Sequence, residues 1–294
     1  MATKLGLVVA VLAVSWASIL VRWSGETPAL VIAGYRMFWS AALFSLIFWK
    51  NREKYPGQAL NFRKNYLLTL TAGLFLALHF ATWIASLKFT TVAHSLIIES
   101  TQPVFAVLLS PFLLKEKAGW RTLISVFLAA VGIVIIAGQD LDFQGQEFWG
   151  DLLALISALC ITLYIFIARG LRHRMSFIPY LAAVYFSAFL ALLIFNLVAG
   201  SALFAYSWKV HLVMFLLALV PTGIGHTLIN WTARRMEVYK VNIALLGEPV
   251  LASVMAYYFF GEKPYGLFYA GAIFIVAGIF LALTETRNTP ILDV

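Results

Sequence analysis

Charge is scarce in this chain of 294 residues: Asp, Glu, Lys and Arg make up 12%, against 62% hydrophobic residues and a mean hydropathy of +0.91. Soluble globular domains carry roughly 25% charged residues, so a water-soluble fold is excluded. Cysteine occurs once, as Cys160 inside an apolar run, which excludes an internal disulfide and leaves the redox compartment open. Motifs of hard chemistry are missing too. There is no His-Glu-x-x-His, no Gly-x-Ser-x-Gly, no Asp-rich pair for pyrophosphate and no obvious His partner for the cysteine. No Walker motif appears, so ATP is not expected to drive the protein directly, and neither an enzyme nor a bound cofactor or metal is expected. A filter-like loop and an acidic ring are also lacking, which makes a channel the less favoured reading.

What remains is apolar runs near or above about 18 residues, the length that crosses a bilayer. Ten spans are expected, near 3–22, 30–49, 66–87, 91–114, 122–138, 150–168, 178–199, 211–232, 241–259 and 265–284. The first is followed by Arg22-Trp23-Ser24-Gly25 without a clear small-x-small cleavage site, so it reads as an uncleaved span. The net charge of +8 is a topology signal. With the N-terminus inside, inner segments hold sixteen of the 21 basic residues, from Lys4 to Arg287, and outer segments hold Arg22, Lys88, Lys209 and Lys263. That asymmetry predicts both termini in the cytoplasm of a plasma (bacterial inner) membrane, and no nucleic-acid partner. The outer loop 139–149, with Asp140, Asp142, Glu147 and no base, agrees.

Two stretches say nearly the same thing. Trp83, Pro103 and Glu116-Lys117 recur as Trp231, Pro249 and Glu262-Lys263, with the same spacing from proline to Glu-Lys. Gly6 and Trp16 align with Gly150 and Cys160, and Gly132-Ile133 aligns with Gly278-Ile279. The chain therefore divides into residues 1–143 and 144–294, five spans each. An odd number of spans turns the second copy upside down, so the fold class is all-α integral membrane, ten helices in two inverted repeats. These residues carry a family resemblance. Leu245-Leu246-Gly247-Glu248-Pro249-Val250 with Phe260-Gly261-Glu262, Gln102-Pro103-Val104 with Leu113-Leu114-Lys115-Glu116, and the opening Gly6…Ser15-Trp16-Ala17-Ser18 resemble the EamA repeat of the drug/metabolite transporter superfamily. The resemblance covers essentially the whole chain and implies a ten-helix carrier, often an exporter of amino acids or related metabolites. Cys160 departs from the Trp usual at its position, so any aromatic wall there is one-sided.

Ionisable groups within a span are costly and functional by default. They are Arg36, His79, Glu99, His226 and Glu248, with His94 and Asp151 near span ends. His79 and Glu99 lie ten residues either side of the hairpin at Phe89, and His226 and Glu248 lie eleven either side of Glu237. At about 1.5 Å per residue each pair shares a depth. Two readings stay open: the pairs handle substrate or protons in a water-filled cavity, or they staple helices. Glu248, between Gly247 and Pro249, has a kinked backbone in prospect, with functional and architectural roles equally open. Helical stripes Ser95-Glu99-Gln102, Thr222-His226-Asn230 and His79-Trp83 face a cavity, to which Trp16 and Tyr164 add aromatic walls. Spans one, three, four, six, eight and nine are expected to line it. Arg36, about six residues from the outer end of its span, is expected to reach the surface as an anchor. The alternative is an inward guanidinium that binds a substrate carboxylate or pairs with Glu99. Glycines at 73, 223 and 225 read as packing positions first and hinges second.

The sequence thus reads as a secondary carrier working by alternating access, with Pro103 and Pro249 as bending points and Glu99 or Glu248 as proton sites. Its expected partners are a small-molecule substrate, the lipid bilayer and protons, in a monomer or homodimer. By resemblance the leading substrates are exported amino acids, aromatic or hydrophobic ones among them. A facilitated or ion-coupled carrier of a nucleoside, quaternary amine or drug is the alternative.

Overall fold

The structure, a computed structural model, describes residues 2–90, 92–116, 118–137, 146–261 and 266–284. Lys117, Glu262-Lys263, Asp140, Asp142, Arg287 and the expected boundary at 143/144 lie outside the described residues, as do the side chains of His94 and Glu147. The described residues hold helices and no strand. The first half comprises α1 (Ala2–Val14), α2 (Trp16–Trp23), α3 (Ala29–Lys50), α4 (Gln58–Phe89), α5 (Val92–Glu99), α6 (Gln102–Leu113) and α7 (Trp120–Ala137). The second comprises α8 (Gln146–Gly170), α9 (Phe177–Val198), α10 (Trp208–Leu217), a π-helical stretch (Ala218–His226), α11 (Thr227–Ala233), α12 (Val238–Leu245), α13 (Gly247–Phe260) and α14 (Gly266–Thr284). Joined across their kinks, nine of these segments are long and apolar enough to cross a membrane. The expected fifth span is the exception, a shorter apolar helix at Trp120–Ile135 among the described residues.

The kinks have local causes. In the first span the Ser15 hydroxyl donates to Val11 O at 2.7 Å, a back-bond that bends helices. Between α5 and α6, the Ser100 hydroxyl donates to Leu96 O at 2.7 Å and that of Thr101 to Ile98 O at 2.8 Å. Pro103, in the first turn of α6, has no N–H to give the Glu99 carbonyl. Between α12 and α13, the Leu246 amide makes a tightened bond to Ile243 O at 3.1 Å, and Pro249 cannot serve the Leu245 carbonyl. Thr101 (φ −73°, ψ −7°) and Leu246 (φ −61°, ψ −13°) stay right-handed, so these helices are bent without being unwound. Both bends sit beside a carboxylate, Glu99 in one half and Glu248 in the other.

Helix contacts repeat between the halves. Helix α4 lies along α8, and α1 lies along the π-helical stretch and α11; that is span three on six and span eight on one. Spans two and seven meet as α3 on α9, and five and ten as α7 on α14. The last contact is reciprocal. A Cβ on Gly132 would stand 2.5 Å from Gly271 O and 2.8 Å from Ile275, while one on Gly278 would stand 2.7 Å from Ser125 O and 3.4 Å from Ala129 N. Residues 125, 129 and 132 match 271, 275 and 278 under the register that aligns Pro103 with Pro249. The same positions thus meet from both sides, as at a two-fold axis. A Cβ on Gly73 would stand as close to α9, 2.4 Å from the Ser187 Cβ, and one on Gly225 would stand 2.6 Å from the Val14 side chain.

Because two of the three atoms facing Gly132, Gly271 O and Ile275 N, are backbone, they cannot yield. Gly132→Val is expected to cost about 1–3 kcal/mol by overpacking, seen as a lower melting temperature in detergent. Gly170→Ala, where nothing lies within 4 Å, is expected to leave melting unchanged or slightly raised.

Candidate substrate cavity

A cavity of about 30 Å³ lies where the two halves meet. Its polar wall is Arg36, His79, Glu99, Gln102, His226 and Glu248; Val14, Ala17, Phe80, Trp83, Ile161, Ile229 and Leu245 supply the rest. Spans one, three, four, six, eight and nine contribute as expected, and Arg36 adds span two. A smaller void of about 10 Å³ adjoins it, sharing Glu99, Gln102, Leu245 and Glu248 and adding Asn242 and Pro249. Together they have room for only a few waters, at about 10–15 Å³ each, so the site as it stands is too small for a solute of amino-acid size.

In the first half, histidine and carboxylate do meet. His79 Nδ1 lies 3.4 Å from Glu99 Oε1. Ser157 of α8 bridges them: its Oγ is 2.8 Å from His79 Nδ1 and donates to Glu99 Oε1 at 3.2 Å. His79 also stacks on Trp83, rings 6.5 Å apart and 10° from parallel. In the second half the arrangement differs. His226 stands edge-on to Phe80 at 5.1 Å and 6.0 Å from the His79 ring, and its buried Nδ1 has no hydrogen-bond partner among the described residues. Its backbone explains the difference. A π turn holds one residue more than an α turn, so the stretch Ala218–His226 changes the angular register of His226 relative to His79. Glu248 is partly exposed to both voids and makes no ion pair among the described residues.

Arg36 corrects an expectation. It is 1% exposed and turned inward, where a surface anchor would lie at the outer interface. Its Nε donates to Thr222 Oγ1 at 2.7 Å, and Cζ lies 3.9 Å from the Phe80 ring centroid. Thr222 is held in turn by donating to Leu217 O at 3.2 Å, five residues back in the π-helical stretch. The reach of a long side chain toward an interface loses here to a built polar contact and a cation–π face.

Three residues expected at the cavity stand apart from its wall. Trp16 packs against Phe259 at 5.5 Å and Trp23 at 6.4 Å, because the cavity face of its helix is taken by Ala17. Tyr164 is wholly buried one turn beyond Ile161, where its hydroxyl accepts from Asn230 Nδ2 at 2.5 Å. Asn230 also donates to His226 O at 2.7 Å, so this pair braces the helix that presents His226. Pro103 and Pro249 lie at the bends, the latter on the smaller void. Sequence reasoning missed Ser157 and Phe80. Ser157 shares a helical stripe with Ile161 and Tyr164 at i+4 and i+7, which was a usable signal; Phe80, next to His79, gave none in so aromatic a chain. Among the described residues no group of three His, Cys, Asp or Glu is placed to hold a metal ion.

At the end of the bundle, Arg169 donates through Nε and Nη2 to Glu116 Oε1 at 2.9 and 2.7 Å, and through Nη1 to Ala233 O at 3.3 Å. This buried pair ties the fourth, sixth and eighth spans together.

The fold is that of a two-repeat helical membrane transporter. The chain belongs to the EamA-like transporter family, which matches it at residues 3–138 and 148–284. An uncharacterized transporter of Bacillus subtilis, YoaV, is 23% identical over 87% of both chains. A probable amino-acid metabolite efflux pump of Salmonella typhimurium is 26% identical over 86% of this chain and 85% of its own. A solved crystal structure superposes with a TM-score of 0.79 over 96% of each chain at 17% identity, a likeness of fold alone.

Ser157→Ala removes the bridge between His79 and Glu99. A lost hydrogen bond to a charged group costs about 1.5–3 kcal/mol, so the variant is expected to melt lower and transport more slowly. Unchanged melting and transport would show that the bridge carries nothing.

Proposed function

We propose that the protein is a secondary carrier exporting amino acids or related small metabolites across the plasma membrane by alternating access. The observation that carries this reading is the small polar cavity between the halves. It is lined by acids and bases that no lipid-facing helix would tolerate, with a bend beside each carboxylate. The name of the Salmonella relative supports the substrate class. A zwitterion suits a wall holding a guanidinium and two carboxylates, and Trp83, Phe80 and the imidazoles offer flat faces to an apolar side chain. Residues 1–143 and 144–294 act as the two inverted halves, with both termini cytoplasmic, a reading the basic asymmetry supports. Pro103 and Pro249 are the bending points, and a proton on Glu99 or Glu248 couples transport to the proton gradient. Arg36, His79 and His226 are the charged and titratable neighbours that would set its release.

The Glu116–Arg169 pair is the latch of the inner gate, since it joins three spans below the cavity. Removing one partner of a buried pair costs about 3–5 kcal/mol, enough to shift a two-state equilibrium strongly.

Purified protein screened by thermal shift against amino acids, nucleosides and quaternary amines is expected to be stabilised by amino acids; stabilisation only by another class overturns this substrate. In proteoliposomes, Glu99→Gln or Glu248→Gln is expected to flatten the pH dependence of transport, and wild-type dependence in both rejects proton coupling through them. Glu116→Gln is expected to raise apparent substrate affinity from the cytoplasmic side and lower it from the other. Equal effects on both sides would reject the latch.

A further inference from the structure

We propose that Arg36 is the anchor for a carboxylate on the transported solute, making a carboxylate a requirement for tight binding. The inference rests on the carrier reading above and names the group the cavity selects. The guanidinium is buried to 1% exposure, yet no carboxylate lies within 4 Å of it among the described residues. A buried cation without a paired anion is costly. Acids are close by: Glu99 and Glu248 line the same cavity and lie within its Coulombic reach. Of the two, Glu99 is held off it. Glu99 is turned to His79 and Ser157 on the third and sixth spans, at 3.4 and 3.2 Å.

The rest of the side chain is fixed. Nε is spent on Thr222, and Phe80 covers a face of the fork. Nη1 is left buried and without a partner among the described residues, in a side chain that lines the cavity. A fixed guanidinium with unused donors suits a carboxylate, whose planar oxygens match its fork. The two resident carboxylates disfavour a dianion such as a phosphate monoester, so a monoanion is the better fit. A solute that also carried an ammonium would place it toward Glu99 and Glu248. The voids are too small for such a solute here, and a water on Nη1 is the alternative occupant.

The test compares L-phenylalanine, L-leucine and L-threonine with the amines left by removing their carboxylates, by ligand-induced thermal shift on the full chain. Wild-type protein is expected to bind each amino acid about tenfold or more tightly than its amine, the scale of a hydrogen bond to a charged group. Arg36→Met is expected to bring that ratio close to one by weakening the amino acid alone. Thr222→Val keeps the charge but frees Nε, and is expected to lower the ratio in the same direction; it decides the matter if Arg36→Met fails to fold. Wild-type protein that binds amine and amino acid equally overturns the anchor and leaves the amino-acid reading of the cavity standing. An undiminished ratio in the folded variants does the same. Stabilisation by nucleosides or quaternary amines alone overturns both.

Discussion

Burying a guanidinium and two carboxylates in the middle of a lipid-embedded bundle is the constraint on which the rest of the structure depends. Each charge costs several kcal/mol away from water, so each must face inward and be held. Arg36 is held by Thr222 and Phe80, and Glu99 by Ser157 and His79. Those partners come from three different spans, the third, sixth and eighth, so the bundle must close around one point. The apolar residues have no comparable preference, since lipid tails are as apolar as leucine. Polar groups therefore fix which helix faces turn inward, and close glycine contacts fix how near the backbones come.

Much of this was legible in the sequence. His79, Trp83, Glu99, Gln102, His226 and Glu248 stand out because ionisable and polar residues within apolar runs are rare, and all six line one cavity. The duplicated landmarks gave the two-repeat fold, and the aligned glycines at 132 and 278 turn out to occupy reciprocal positions on α7 and α14. The misreadings share a cause. Sequence spacing gives depth along a helix but only a coarse angle around it. Trp16 is at a plausible depth, yet one residue's rotation hands the cavity face to Ala17. Arg36 is at a depth where either the surface or the interior is within reach. What decided between them, a threonine in the eighth span and a phenylalanine in the third, is far away in sequence. The π-helical register at Ala218–His226 has no local marker beyond Pro221 and two glycines.

That π-helical stretch is where the two halves differ most. Its counterpart, residues 70–78 of α4, is regular helix, the kink in that helix lying earlier at Asn65. The extra residue in the turn changes the angle of His226, which leaves its carboxylate neighbour and meets the aromatic ring that also covers Arg36. One half therefore carries a bonded His–Ser–Glu unit, while in the other His226 and Glu248 form no ion pair among the described residues. A duplicated scaffold needs this kind of departure, because a fully symmetric cavity would present the same group twice to a solute with unlike ends.

The same asymmetry bears on movement. The α7·α14 contact is packed backbone against glycine and has no slack, so it behaves as a fixed seam. The bent spans meet differently, α6 on α12 and α5 on α13, with the small voids between them. Each bend lies beside a proline that leaves a carbonyl unserved, at Glu99 and at Leu245, so each bend has one helical hydrogen bond fewer to break. On the proposed alternating-access reading, tilting the half-helices about these points would leave the seam intact and move Glu99 and Glu248 relative to Arg36. Access and the electrostatics of the site then change together, because the carboxylates ride on the elements that bend.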